Sequence, residues 1–147
     1  MAGLSPNGMM EGYARVAVDF ARQHLQVSLD FSEESLRQVE EILGGLHNTL
    51  PKGVLGRILK RGPTPNQIQQ MATMWGGYVG EVIRRRWGGQ WSTESQIQSG
   101  AVITLHIGTM EISPPHKVYK RLTNGPEDNI WHYYQVLKVQ MEKKWNG

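Results

Sequence analysis

Residues 73–91 read TMWGGYVGEVIRRRWGGQW, and the chain changes its period inside them. Upstream of Trp87 the apolar side chains recur at helical spacing. At about 100° per residue, Ile68, Met71, Ala72, Trp75, Tyr78, Val79, Val82 and Ile83 share one broad face. Downstream of Gly88-Gly89 the pattern alternates, as it does in a strand. Gly88 is placed to be the left-handed cap of the helix, Gly89 frees the turn, and Trp91 leads the strand. The stretch is a helix, a corner and the start of a sheet.

Working outward, this helix begins at "TPNQ", with Thr64 as cap and Pro65 in the first turn, where its missing N–H costs nothing. Two amphipathic helices precede it. The first is predicted over about Met10–Gln26, its seam made by Tyr13, Val16, Ala17, Phe20, Ala21 and Leu25. The second opens at Ser32 as cap, with Glu33 and Glu34 in its first turn and Phe31 stapled onto Leu36. Its stripe is Leu36, Val39, Ile42, Leu43 and Leu46. Residues 51–65 form a Pro/Gly-punctuated connector, whose "GRILKRG" piece reads as one helical turn docking through Val54, Leu55, Ile58 and Leu59.

On the other side of the corner, "AVITLHIGTMEIS" reads as two strands joined by Gly108-Thr109, a type II′ hairpin. In that register Ile107 faces Met110, His106 faces Glu111 and Leu105 faces Ile112, so the apolar residues share one face. Residues Trp91–Ile97 offer a further strand. "SPPHKVYKRLTNG" is a short helix closed by Asn124-Gly125. The last helix opens on Pro126, Glu127 and Asp128, with Ile130, Tyr134, Leu137 and Met141 as its seam. The sum is one α+β domain over 1–147: N-terminal helices, a small antiparallel β-sheet with a hairpin, and a C-terminal helix packed on the sheet.

Composition narrows the function classes. The 147 residues are 39% apolar and 20% charged, too apolar for a disordered chain. No apolar run approaches the roughly 20 residues that cross a bilayer, and the N-terminus lacks a secretory pattern. With no cysteine there are no disulfides, thiolate metal sites or Cys nucleophiles, which suits a reducing cytoplasm. The net charge of +3 conceals a polarity. Residues 1–50 carry three arginines against seven acids, net −4; residues 51–147 carry thirteen bases against six acids, net +7. Between 51 and 91 there are seven bases and only Glu81. A solvated face is one reading of that excess; a surface for phosphates or an acidic partner is the other.

Gly76, Gly77 and Gly80 lie beside the broad apolar face, and each costs about 1 kcal/mol inside a helix relative to alanine. Close approach of another helix accounts for them, and a ligand groove is the alternative. "GGYVG" is no phosphate loop, since it lacks the following Lys-Ser/Thr and lies within a helix. Glu81 precedes Arg84 and Arg85 by three and four positions, the spacing of ordinary helical ion pairs. The five histidines have no zinc spacing, and no serine sits in a nucleophile elbow. No catalytic residue, metal site or cofactor is assigned. Trp131, Tyr133 and Trp145, if outside the last seam, make an apolar patch suited to self-association.

Together "YARVAVDFA", "LDFSEESLRQVEEIL", "GGYVGEVIRRRWGGQW" and "KVYKRLTNGPEDNIWHYY" resemble, in that order, a family of small bacterial domains of unknown function. The most specific piece is Gly77-Tyr78-x-Gly80-Glu81 followed by Gly88-Gly89-x-Trp91. The resemblance implies a bacterial, cytoplasmic, self-contained protein and no particular chemistry. The expectation is a non-enzymatic interaction module, immunity-like or regulatory, with a protein partner and a homodimer as one form. Its contact residues are drawn from Trp75, Gly77, Tyr78, Glu81, Arg85, Trp87 and Trp91. One alternative is a small enzyme or ligand binder with a pocket beside the third helix at Glu81 and Arg85. Another is nucleic-acid binding through Arg57, Lys60, Arg61, Arg84 and Arg85.

Overall fold

The computed structural model describes residues 4–50, 63–94 and 103–146, without the side chains of Trp145 and Asn146. The elements run α1 Pro6–Leu25, α2 Ser35–Thr49, α3 Pro65–Trp87, β1 Gln90–Ser92, β2 Thr104–Ile107, β3 Met110–Ile112, α4 Pro114–Thr123, a 3₁₀ turn Pro126–Asp128, and α5 Ile130–Asn146. The fold is α+β. The connector, its docking turn and the far end of the strand expected over 91–97 lie outside the described residues. No described helix is long and apolar enough to cross a membrane.

α3 is the axis of the molecule. Thr64 and Gln67 form a reciprocal capping box at its start. From Trp75 to Ile83 every residue is buried, because α1, α4 and the sheet all pack on this stretch of the helix. The three glycines are contact points of three different elements. A Cβ on Gly76 would strike the backbone of Pro115 at the start of α4. One on Gly77 would lie 3.2 Å from the Met10 carbonyl of α1, and Gly80 receives the Trp91 ring. The glycine side is filled by protein.

α1 departs from its expected orientation and begins earlier, at Pro6, where Ser5 Oγ accepts from Gly8 N–H. Its buried stripe is Met10, Ala14, Ala17 and Ala21, whereas Tyr13, Val16, Phe20 and Leu25 are exposed to between 37% and 53%. The expected seam mixed two stripes. Small side chains let α1 approach the glycines of α3 closely, so the alanine face goes inward and the larger residues remain on the flank.

α2 begins at Ser35, later than expected, with Glu34 at its N-cap and no side-chain cap, so Glu33 and Glu34 precede its first turn rather than occupy it. Ser32, expected as the cap, lies in the lead-in, its Oγ accepting from Ser35 N–H at 3.1 Å. Phe31, with φ at 63°, packs its ring tilted against Tyr78, centroids 4.7 Å apart. The buried stripe is Leu36, Val39, Leu43 and His47, with Ile42 and Leu46 half-buried.

The sheet is the meander β1-β2-β3, antiparallel throughout. β2 and β3 pair in the expected register, Leu105 with Ile112, His106 with Glu111 and Ile107 with Met110. Gly108 has φ of 60° and Thr109 is not left-handed, which matches a type II′ turn rather than I′. Trp91 lies opposite Leu105.

Pro126, Glu127 and Asp128 do not belong to the last helix. They form their own turn because Asp128 is drawn back to α4, accepting from Lys117 Nζ at 3.0 Å and Asn124 Nδ2 at 3.1 Å. α5 starts at Ile130, with Asn129 Oδ1 accepting from His132 N–H. It buries Ile130, Tyr134, Leu137 and Met141 and packs chiefly on α2, while Lys144 reaches the hairpin turn at Thr109.

Candidate functional site

The corner after α3 is built first by its glycines. Gly88 closes the helix with positive φ (81°) but an extended ψ of −166°, not the left-handed helical conformation expected of it, and its N–H donates to the Arg84 carbonyl at 2.7 Å. Gly89 (φ 123°) passes so near β2 that a Cβ there would lie 2.7 Å from the His106 carbonyl. The reversal turns Trp91 back beneath α3, where its ring occupies the space left by Gly80. Its indole N–H then donates to Glu81 Oε2 at 2.9 Å, and its backbone N–H to Asn7 Oδ1 at 2.8 Å.

Glu81 is 1% exposed. Its other oxygen faces Arg84 Nη1 at 3.2 Å; the same Nη1 reaches Glu11 of α1 at 3.1 Å, while Nε donates to the Gly89 carbonyl. The partner among the arginines is Arg84, not Arg85. The carboxylate so engaged by an indole and a guanidinium ties α3 to β1 and, through Arg84 and Glu11, to α1.

The other expected contact residues diverge. Trp75 is buried with the Phe20 ring edge-on at 6.2 Å. Tyr78 is buried; its hydroxyl accepts from Phe31 N–H at 2.8 Å and bonds Ser35 Oγ at 2.7 Å. Burial raises its phenol above the ordinary value, against the pull of those bonds. Arg85 turns outward and lays its guanidinium over Phe31 at 3.5 Å. Trp87 packs on Tyr134 at 5.7 Å. Arg57, Lys60 and Arg61 lie outside the described residues. Trp131 and Tyr133 are half-buried against the core. Among the described residues no group of three His, Asp or Glu could hold a metal ion.

Three concave surfaces formed by the described residues lie elsewhere. A groove of about 520 Å³ runs between α1 and the start of α3, lined by Phe20, Pro63, Gln67, Gln70, Met71 and Met74. A second, of about 420 Å³, lies between the end of α1 and α2, with Phe20, Leu25, Val27, Ile42 and Leu46 in its walls. A third, of about 250 Å³, is formed by Arg15, Val18, Asp19, Phe31 and Arg85. Glu81 lines none of the three. Phe20 separates the first two, and Tyr13 and Val16 continue the same apolar flank along α1. Sequence reasoning missed this surface, although the signal was present. The apolar arc of α1 is wider than one neighbouring helix can cover.

No family model matches the chain, and neither do the curated proteins or solved structures compared with it.

Proposed function

We propose that the chain is a non-enzymatic bacterial interaction module, immunity-like or regulatory and cytoplasmic, that binds a protein partner through the apolar flank of α1. The observation that carries this reading is that flank itself. Tyr13, Val16 and Phe20 are exposed in a row on one helix, and two apolar grooves open on either side of Phe20. Single exposed apolar residues are ordinary, but a contiguous patch with concave margins is what binding surfaces provide. Met71 and Met74 supply unbranched side chains that reshape to an incoming surface. The buried Glu81 network supports the same reading from the other direction: the most unusual motif in the chain is occupied in holding the scaffold.

A photo-crosslinking amino acid placed at Val16, 53% exposed, tests it in a bacterial cytosol. The expected result is one discrete protein adduct, absent when the probe replaces exposed Gln140 on α5 and lost when Phe20→Glu is combined with the Val16 probe. Circular dichroism of that variant confirms that it is folded. If the Val16 probe gives no adduct beyond that of the Gln140 control, the reading is wrong.

A further inference from the structure

We infer that the pocket of about 250 Å³ lined by α1 and α3 binds the phosphoryl group of a small phosphate monoester through Arg15 and Arg85. The site is separate from the proposed protein-binding flank. Arg15 and Val18 lie across the buried alanine stripe of α1 from Tyr13, Val16 and Phe20.

The positive charge of the pocket follows from where the neighbouring acids are committed. Glu11 stands four residues before Arg15, and Glu81 four before Arg85, the spacing and orientation of a helical ion pair. Neither pair forms. Arg84 takes both acids, Glu11 at 3.1 Å and Glu81 at 3.2 Å. Asp19, four residues after Arg15, goes to Arg22 at 3.2 Å. Among the described residues Arg15 and Arg85 are thereby left with no ion pair and no hydrogen bond. Both line this one pocket, together with Val18, Asp19 and Phe31.

Arg85 is also positioned without using its donors. Its guanidinium lies over the Phe31 ring at 3.5 Å, so the ring face places the cation while its N–H groups stay unbonded. Phe31 is fixed in turn by buried Tyr78, whose hydroxyl accepts from Phe31 N–H at 2.8 Å. That bond holds Phe31 at φ 63°, a backbone conformation that aromatic residues rarely adopt. Such strain persists where the surroundings over-determine it, and here it sets the ring that carries Arg85.

The walls select the ligand. Two guanidinia from different helices present more donors than the two oxygens of one carboxylate can accept. A phosphoryl group brings three terminal oxygens and close to two negative charges. Asp19, the one acid in the wall, carries Arg22 with it, and Asp30 beside Phe31 accepts from Ser32 N–H at 3.0 Å. The two free guanidinia therefore decide the sign of the pocket. Val18 and Phe31 supply apolar wall for the organic part of the ester. The volume lies below the roughly 300 Å³ at which pockets for drug-sized ligands begin, which limits that part to about one ring.

Isothermal titration calorimetry of the full chain with phenyl phosphate, inorganic phosphate and benzoate tests the assignment. Phenyl phosphate is expected to bind saturably in the millimolar range or below, about tenfold more tightly than either of the others. Arg15→Gln and Arg85→Gln are each expected to weaken it about tenfold, and Lys143→Gln, at an exposed position of α5, to leave it unchanged. Circular dichroism checks that the variants are folded; if loss of the cation over Phe31 unfolds Arg85→Gln, Arg15→Gln decides alone. No saturable binding, or binding that the arginine substitutions do not weaken beyond Lys143→Gln, overturns the site. Benzoate as tight as phenyl phosphate overturns the phosphoryl group as its ligand. Inorganic phosphate as tight overturns the part given to Val18 and Phe31. None of these results bears on the Val16 cross-link, so the pocket and the protein-binding flank stand or fall separately.

Discussion

Glu81 is where a functional reading of the sequence and a structural one give opposite expectations. It is buried, charged and central to the most specific motif, which would suit a chemical group. Its oxygens, however, meet the Trp91 indole and Arg84, and none of the three grooves reaches it. Removing one partner of such a network leaves an uncompensated charge inside the protein. Glu81→Ala is expected to cost about 3–5 kcal/mol, and Glu81→Gln, which keeps the shape but removes the charge opposite Arg84, about 2 kcal/mol. Urea unfolding measures both; a Glu81→Gln protein as stable as the parent would remove the structural role. Tyr78→Phe is a milder case. It withdraws the acceptor of the Phe31 N–H and a partner of Ser35, for an expected loss of about 1–2 kcal/mol by the same measurement.

At the scale of elements, the glycines separate positions that need no side chain from positions that merely lack one. A methyl on Gly76 would run into the Pro115 backbone, which has no rotamer by which to yield. One on Gly45 of α2 would meet nothing within 4 Å. Gly45→Ala is therefore expected to stabilise by about 0.5–1 kcal/mol and Gly76→Ala to destabilise by about 2–3 kcal/mol. Thermal unfolding of the pair shows whether α3 is packed as tightly as described; a neutral Gly76→Ala would mean that it is not. What was legible in the sequence follows the same division. The hairpin register, the Thr64 cap of α3 and the Gly88-Gly89 corner are local, since turn chemistry and period fix them within a few residues. The orientation of α1 was not legible, because periodicity weighs apolar character and not size. It was side-chain size that let the Ala14, Ala17 and Ala21 face reach the α3 glycines. The 3₁₀ turn before α5 was hidden for a related reason: Asp128 answers to Lys117, eleven residues earlier, rather than to the helix that follows it. The exposed apolar flank was missed with α1, since residues placed in the seam could not be seen on the flank.

For the molecule as a whole, the charge polarity of the chain resolves into contacts between its halves. Acids of the N-terminal third hold bases of the remainder: Glu11 with Arg84, Glu33 with Arg86 and Lys138, Glu40 with Arg121 at 2.7 Å. The excess that could have marked a nucleic-acid face is in part the other side of these pairs. They also set the pH range of stability. Glu33 is held below the usual carboxylate range, first by its hydrogen bond from Lys138 and against the opposing effect of burial. At Asp128 burial pushes upward, but hydrogen bonds from Lys117 and Asn124, with the charges of Lys117 and Lys120, outweigh it. A carboxyl lowered on folding contributes stability that is complete above its unfolded value, about 4, and is lost as pH falls through the folded one. The phenols act at the other end. Burial raises Tyr78, and burial followed by the Glu33 charge raises Tyr134. A phenol raised on folding contributes stability that is complete below about 10 and is lost as pH climbs toward its folded value. The urea midpoint is expected to be level from about pH 5 to pH 9 and to fall on both sides. Lys138→Met, which removes the main hold on Glu33, should make the acid fall shallower. Tyr78→Phe, which removes one raised phenol, should do the same on the alkaline side. A midpoint still rising above pH 10, or limbs unmoved by the two substitutions, would show that these groups do not govern the range.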